Sequence, residues 1–504
     1  MKTISAPDIE NHKKIKQEFF DTSHLQKDLK YYTVRGGIAT LGAQGLGSLL
    51  AIGSIAILAR LLTPADFGLV AMVTSLIGIL TILKDAGLTM VTVQQDKITH
   101  EQVSTLFWIN VALSLLITLA IASLAPVIVW FYDEPNLFPI TIAVACLFIF
   151  DGLAVQHQAL LRRQMHFETL ARIQVISSSF AVFAAIAAAL IGSGYWALLV
   201  QSATSQLISL ALTWRYCRWI PGWPRYDVGI RPLLKFGGYL TGFSFINYFA
   251  RNADNVLIGK AWGSSELALY SKAYSLLLFP LQQVNGPISA VAIPALSRLQ
   301  NDPERFREFF RNVLGIVAFI TFPIIAWMIV CRREIVLLVL GPQWEGAIPI
   351  FGIFAISAFF QPIGNITGVL YIALGRTKRM FRWGVMSTSW ILLSFIVGVY
   401  WGAIGVALAY SIAIIVMIIP LILYAISGTH VRLMDVYIAI KYPSLFCFIS
   451  VLIAFFSQFF LLSDGVFLLK LGWITVTMFS LYISMVYTFQ RRLILQTLQI
   501  YFKK

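Results

Sequence analysis

LARLLTPADFGLVA, Leu58 to Ala71, returns two hundred positions later, without a gap, as IGKAWGSSELALYS, Ile258 to Ser271. Leu58 pairs with Ile258, Arg60 with Lys260, Asp66 with Glu266 and Leu69 with Leu269. The same register pairs Arg35, Gly37 and Gly42 with Lys235, Gly237 and Gly242, and Ser75, Leu76 and Asp85 with Ser275, Leu276 and Asn285. The chain is a duplication. Each copy also has a local reading, because Thr63 suits a helix N-cap, Pro64 the first helical position and Asp66 the positive end of the helix dipole. Arg60 closes the preceding helix, and Ser264, Ser265 and Glu266 restart the second copy. The repeated words are therefore read as helix stop, turn and helix start on one face, rather than as a substrate contact.

The solvent of this chain is lipid. Its 504 residues are 58% hydrophobic and 12% charged, with a mean hydropathy of +0.79, against about 25% charged residues in a soluble domain. A hydrocarbon core of about 30 Å needs about 20 apolar residues per helical crossing. Fourteen such segments are read, at 37–59, 66–90, 104–130, 137–158, 168–191, 195–214, 233–258, 266–290, 311–330, 347–371, 383–400, 403–425, 442–461 and 466–488. The expected fold is an all-α polytopic membrane protein.

Charge sets the orientation. The first 35 residues carry seven Lys and Arg but no apolar signal core, which predicts a cytoplasmic tail, with Ile9, Ile15, Phe19 and Phe20 marking either a short surface helix or disorder. With that tail inside, 31 of the 38 Lys and Arg fall on cytoplasmic connections, among them Arg162, Arg163, Arg215, Arg307, Arg376 and Arg379. Only Arg60, Lys260, Arg332, Arg333 and Lys470 fall outside, and Arg251 and Lys272 fall within helices. This is the positive-inside pattern, so the net charge of +15 follows the membrane and not a nucleic acid. Both termini are expected in the cytoplasm. The clusters at Arg162, Arg215 and Arg376 set topology and meet anionic headgroups, or gather an anionic substrate; Arg332 and Arg333 are read as snorkelling, with Glu334 as partner.

Six helices separate each repeated position from its counterpart. An even number gives the copies the same direction, so the duplication predicts two parallel six-helix bundles with a site between them. The plan is a tail at 1–35, an N-lobe at 36–216, a linker at 217–232, a C-lobe at 233–426, two further helices at 441–488 and a tail at 489–504.

Catalytic and metal chemistry find no pattern here. Cys146, Cys217, Cys331 and Cys447 are isolated and read as inert, and no HExxH, GxSxG or phosphate-cradling glycine loop occurs. No metal and no resident cofactor is expected.

Taken together, LARLLTPADFGLVAMV, LKDAGLTMVTVQQDKIT, STLFWIN, LLRRQMHF and NADNVLIGKAWGSSELALYSKAYSL resemble bacterial oligosaccharide flippases of the polysaccharide transport family, and among them the Wzx-type members serving exopolysaccharides such as colanic acid. The resemblance covers about residues 28–425. It implies the superfamily of the lipid II flippase and the multidrug and toxin extruders, with two lobes forming a V-shaped central cavity. It further implies location in the bacterial inner membrane and a substrate of undecaprenyl diphosphate carrying a short glycan. Membrane lipids and that glycan are then the partners, with the polysaccharide polymerase and export machinery as candidates.

Candidate site residues lie on four segments, the fourth, seventh, eighth and tenth. Ser244, Asn247, Arg251 and Asp254 recur at steps of three and four, forming one polar stripe on the seventh segment. A charge at mid-membrane costs roughly 2.5–3.5 kcal/mol on insertion scales, so it faces a wet cavity or a partner. Arg251 either offers its planar fork to a diphosphate or pairs with Asp254 and only fixes packing. Lys272, Ser275, Gln282 and Gly286 repeat the device on the eighth segment, and Ser357, Gln361, Asn365 and Gly368 on the tenth. These suit either sugar hydroxyls or helix packing. Asp254 and Asp151 are the carboxylates available for proton or sodium coupling, although Asp151, on one face with Gln158 and Arg162, is read first as a structural hydrogen-bonding group. Gly42, Gly45, Gly47 and Gly53 in the first segment suit a hinge or close packing.

The reading is a lipid-linked oligosaccharide flippase working by alternating access. Its rivals are a cation-coupled drug or metabolite extruder of the same fold and, from another class, a membrane enzyme of glycan polymerisation or ligation. The short outer connections GSGYW at 192–196 and VYWGAIG at 399–405 leave no room for a catalytic domain. In a Cys146→Ser background, Ser193→Cys should react with an impermeant maleimide added outside intact cells, and Lys378→Cys only after permeabilisation. The opposite pattern reverses the orientation.

Overall fold

In the computed structural model the backbone is described for residue 20 and for 29–85, 88–95, 98–225, 231–461 and 467–502, and side chains for these except 29–34, 38, 79, 81–85, 88, 231–251, 458–461, 467–468 and 490–502. The expected terminal tail, apart from Phe20 and the first turns of α1, lies outside the described residues, as do the side chains of Lys84, Lys97, Arg231, Lys235, Ser244, Asn247 and Arg251. Among the described residues there is no strand. Hydrocarbon offers backbone amides no partner, and a helix satisfies them within one segment.

The helices are α1 (Leu29–Leu61), α2 (Pro64–Asp85), α3 (Leu88–Gln94), α4 (His100–Tyr132), α5 (Leu137–Arg163), α6 (Phe167–Leu190), α7 (Trp196–Cys217) and α8 (Arg231–Arg298). They continue with α9 (Pro303–Val330), α10 (Arg332–Val339), α11 (Ala347–Ala358), α12 (Gln361–Ala373), α13 (Thr377–Gly398), α14 (Gly402–Ile426), α15 (Leu433–Leu461) and α16 (Phe467–Phe502). Nine stretches among the described residues are long and apolar enough to cross a membrane, or ten if α11 and α12 form one bent span. The fourteen expected crossings exceed that count, and most of the seventh lies outside the described side chains. Asn252–Arg298 and Thr377–Ile426, of 47 and 50 residues, each count once although each exceeds two spans' length. Within α2 the described apolar stretch ends at Gly78, because the side chains of 79 and 81–85 lie outside the described residues, and α7 carries amides and hydroxyls along its middle.

The chain divides into two compact units, Met1–Ser265 and Glu266–Lys504. In the first, the repeated words make the turn that their chemistry predicts. Asp66 accepts hydrogen bonds from the Thr63 amide (2.9 Å) and hydroxyl (2.7 Å), while the Thr63 hydroxyl accepts from the Asp66 amide at 3.3 Å. Pro64 opens the helix. Close to the second copy of these words, α8 breaks at Gly263, whose φ of 83° and ψ of −175° suit a residue without a side chain. Gly68 has a different constraint, since the Ser264 carbonyl occupies the place a Cβ would take.

At the end of the first unit expected to face the cytoplasm, the buried cluster of Val103, Leu106, Phe107, Leu160, Leu161 and Ile173 is closed by Cys217 and Trp219. The segment after α7 lies along the start of α4. Trp108 donates to the Gly222 carbonyl at 2.8 Å, the Ser104 hydroxyl accepts from the Gly222 amide at 2.9 Å, and Trp219 donates to His100 at 3.1 Å. His157 is fully buried and stacks on Trp214 at 4.4 Å.

Several arginines of the positive-inside set close helix ends, where four carbonyls lack an intrahelical partner. Arg163, 6% exposed, donates to the carbonyls of Thr92 (3.1 Å) and Gln95 after α3. Arg376 and Arg379 donate to the Ser427 carbonyl after α14, at 3.0 and 2.9 Å. Arg333 takes Glu345 as its partner, at 2.8 Å, in place of the expected Glu334. Adjacent residues on a helix point about 100° apart and do not face each other.

The second unit is built around Leu296, Phe306, Phe310, Leu314, Ile366 and Leu370. The segment expected as one helix at 347–371 is two, α11 and α12, bent by 44°. Pro362 in the first turn of α12 lacks an amide proton and its ring clashes with a continuing helix. α15 is tied to α9 by an ion pair: Arg307 donates two hydrogen bonds to Asp435, both at 3.0 Å, and Asp435 also accepts from the Arg432 amide at 2.8 Å. The Asp435 side chain is 1% exposed and that of Arg307 31%.

That asymmetry gives a test. Arg307→Ala strands a desolvated carboxylate, whereas Asp435→Ala leaves a guanidinium that water can reach, so the arginine variant should melt lower, by roughly 5 °C or more in detergent. The double variant should recover part of the loss; equal effects of the two single changes would refute the burial argument.

Candidate functional site

The predicted site residues are distributed over both units. Asn247 and Arg251 lie outside the described side chains. Asp254, 7% exposed, turns inward in the first unit, and its carboxylate accepts from the Asn255 amide at 2.8 Å. Asp151 is half-buried in α5 of the same unit. Lys272, Gln282, Gln361 and Asn365 belong to the second unit. Lys272 is half-buried and Gln282 exposed on α8, and the Ser275 hydroxyl donates to the Lys272 carbonyl at 3.1 Å. A Cβ at Gly286 or Gly368 would meet nothing within 4 Å, so both glycines mark open helix faces. The bend before α12 divides the tenth-segment stripe. Ser357 is fully buried and donates to the Phe354 carbonyl at 2.9 Å, while Gln361 is half-buried and Asn365 exposed.

Each unit contains a cavity of its own. In the first, about 360 Å³ opens between α1, α6 and α7, over Gly47, Ala51 and Ala181. Its polar lining is Ser178, Gln201, Ser202, Ser205 and Gln206, and among the described residues no charged or aromatic side chain lines it. Gln201 is held by donation to the Ser54 hydroxyl at 2.8 Å, and the Ser202 hydroxyl donates to the Leu198 carbonyl at 3.1 Å. The Gln206 carbonyl oxygen is buried and accepts from no described residue. In the second unit, an apolar cavity of about 390 Å³ lies between α9, the α11–α12 bend and α15, lined by Phe322, Phe359, Phe360, Ile363, Cys447 and Phe448 among others.

The amide and hydroxyl cavity was not anticipated from sequence, though its signal is present. Gln201 and Ser205, and Ser202 and Gln206, are each four apart in QSATSQ and so share neighbouring faces of one helix. They lacked the charge that drew attention to Arg251 and Lys272.

Among the described residues no cluster of His, Cys, Asp or Glu has the makings of a metal site. Cys217, Cys331 and Cys447 are buried and Cys146 is exposed. Burial, with the Glu334 charge adding to it, pushes the Cys331 thiol up to about 12.

A family described as polysaccharide biosynthesis protein matches residues 57–349. The chain belongs to this family. It is 28% identical over 386 residues to the lipopolysaccharide biosynthesis protein WzxC of Escherichia coli K12, covering 75% of this chain and 77% of that one. It is 25% identical over 334 residues to the succinoglycan biosynthesis transport protein ExoT of Rhizobium meliloti, covering 66% and 67%. Its fold is similar to that of the lipid II flippase MurJ in an inward closed conformation, with a TM-score of 0.69 at 16% identity over 92% of this chain and all of that one. The chain is thus a multi-pass membrane transporter of polysaccharide biosynthesis and not an enzyme.

The cysteines allow a direct check of burial. In detergent at pH 7.5, Cys146 should react readily with maleimide, and Cys331 roughly 10³-fold more slowly than an ordinary thiol, because so little of it is thiolate. Mass spectrometry of the labelled protein reads both; rapid labelling of Cys331 in the folded protein contradicts its placement.

Proposed function

We propose that this protein moves oligosaccharide units linked to undecaprenyl diphosphate from the cytoplasmic to the outer leaflet of the bacterial inner membrane. The observation that carries the reading is the family match over residues 57–349 in a chain that is apolar along most of its length. A glycan cannot cross hydrocarbon unaided at a useful rate, because each hydroxyl would leave its water partners unreplaced. A membrane protein of polysaccharide assembly without a catalytic motif answers that barrier.

The proposed architecture has fourteen crossings: six in 36–216, six in 233–426 after a cytoplasmic linker at 217–232, and two more in 441–488. Both termini are cytoplasmic. The two bundles alternate between inward and outward access, a motion supported by the 200-residue register of the repeat. Arg251 binds the diphosphate, with Asn247 and Asp254 on the same stripe. Lys272, Gln282, Gln361 and Asn365 meet the glycan or its phosphates, and the apolar cavity lined by Phe322 and Phe359 suits an isoprenoid chain. Asp254 and Asp151 are the carboxylates to examine for proton or sodium coupling. The polymerase and export machinery take the product.

A deletion strain should accumulate undecaprenyl diphosphate glycan on the inner leaflet, measured by extraction and by lectin accessibility of the lipid pool. An unchanged pool rejects the flippase. Arg251→Gln removes charge-assisted hydrogen bonds of about 1.5–3 kcal/mol, so export should fall roughly ten- to hundredfold with the protein still folded. Full export by that variant removes Arg251 from the diphosphate site.

A further inference from the structure

The cavity between α1, α6 and α7 has a chemistry that the diphosphate does not need. Its polar groups are three serine hydroxyls and two glutamine amides, set among Gly47, two alanines, Leu50 and Val182. Among the described residues no cation lines it to hold a phosphate, no carboxylate to hold a metal or an organic cation, and no aromatic ring to stack a drug. Sites for drug-sized molecules are mostly apolar and aromatic; this one offers donors and acceptors without net charge, which is what a neutral polyol requires. Its position is equally telling. Gly47 and Ala51 lie near the middle of α1, Ser178 near the middle of α6 and Gln201 to Gln206 in the middle of α7, the depth at which polar side chains are least tolerated without a partner or a ligand. Gln206 lines the cavity, and its carbonyl oxygen is buried and accepts from no described residue.

We infer that this cavity is a subsite for an uncharged sugar ring of the transported glycan, with Gln201, Ser202, Ser205 and Gln206 as its hydrogen-bonding residues. The inference rests on the flippase reading and adds to it a location in the first unit and a specificity for sugar hydroxyls, apart from any phosphate contact. Gln201 is fixed by Ser54 and presents its remaining oxygen. Ser202, donating to its own helix, presents its lone pairs to a sugar hydroxyl. At about 360 Å³ the cavity stands at the lower end of the range for small-molecule sites, room for a sugar ring and not for a whole lipid-linked unit.

The test uses the full-length protein in lipid nanodiscs and two probes: undecaprenyl diphosphate, and the undecaprenyl diphosphate glycan extracted from a polymerase-deficient strain of the source bacterium. Wild type should bind the glycan-bearing lipid at least tenfold more tightly than the bare one. Ser202→Val combined with Gln206→Leu should abolish that preference and leave binding of the bare lipid unchanged. Ser202→Thr, which matches valine in size but keeps the hydroxyl, should retain it. A folded double variant that keeps the full preference overturns the subsite, as does a wild type that binds both lipids equally, while the flippase reading survives both outcomes. Binding of neither lipid by wild type removes the flippase reading and the subsite together. As a second measurement independent of those variants, Ser205→Cys in a Cys146→Ser background should be protected from a permeant maleimide several-fold by the glycan-bearing lipid and not by the bare one. Equal protection by both overturns the assignment.

Discussion

Backbone amides cannot be left unpaired in hydrocarbon, and this constraint organises the molecule from its sequence upward. It allows only helices across the apolar stretches, and it concentrates difficulty at helix ends, where carbonyls remain without intrahelical partners. The chain meets that difficulty with side chains whose charge also sets topology. Arg163 closes the end of α3, Arg376 and Arg379 the end of α14, and Ser297 donates to the Ala373 carbonyl at the end of α12. The basic residues from which the positive-inside pattern is read thereby also close helix ends.

Polar side chains within the span obey the same logic in a second form. Some have found structural partners: Thr92 donates to Gln156 at 2.9 Å and Thr118 to the Ala145 carbonyl, also at 2.9 Å. Those around the cavity of the first unit keep some valences open, which is the condition for holding a ligand and releasing it. The apolar cavity of the second unit is the complementary case, a surface with little to offer except contact area. A glycolipid presents both chemistries, and the two units between them contain both.

Much of this was legible in the sequence because it depends on local chemistry. The Thr63, Pro64 and Asp66 turn formed as its residues dictate, since each hydrogen bond closes within four positions. The all-helical class followed from apolar length alone. The bend at Phe359 and Phe360 was missed because the hydropathy of 347–371 is continuous through it; only Pro362 signals the break. The Arg333 to Glu345 pair escaped for a related reason: sequence proximity favoured Glu334, but helix geometry turns neighbouring residues apart. The Gln201 to Gln206 site was overlooked because uncharged polar residues in an apolar helix resemble packing groups. Only the opening between three helices distinguishes the two uses, and that depends on how distant segments assemble.

The clasp between Arg307 and Asp435 bears on how far the chain can be shortened. The final two helices have no counterpart in the duplication, yet the carboxylate that satisfies a guanidinium on α9 comes from the first of them. A protein ending at Ile426 would lose that acceptor along with the apolar cover that α15 lays over Phe322. Trimming the chain after Ile426 therefore removes more than an appendage: the guanidinium at position 307 can turn to water, but the apolar face of α9 around Phe322 would be left uncovered.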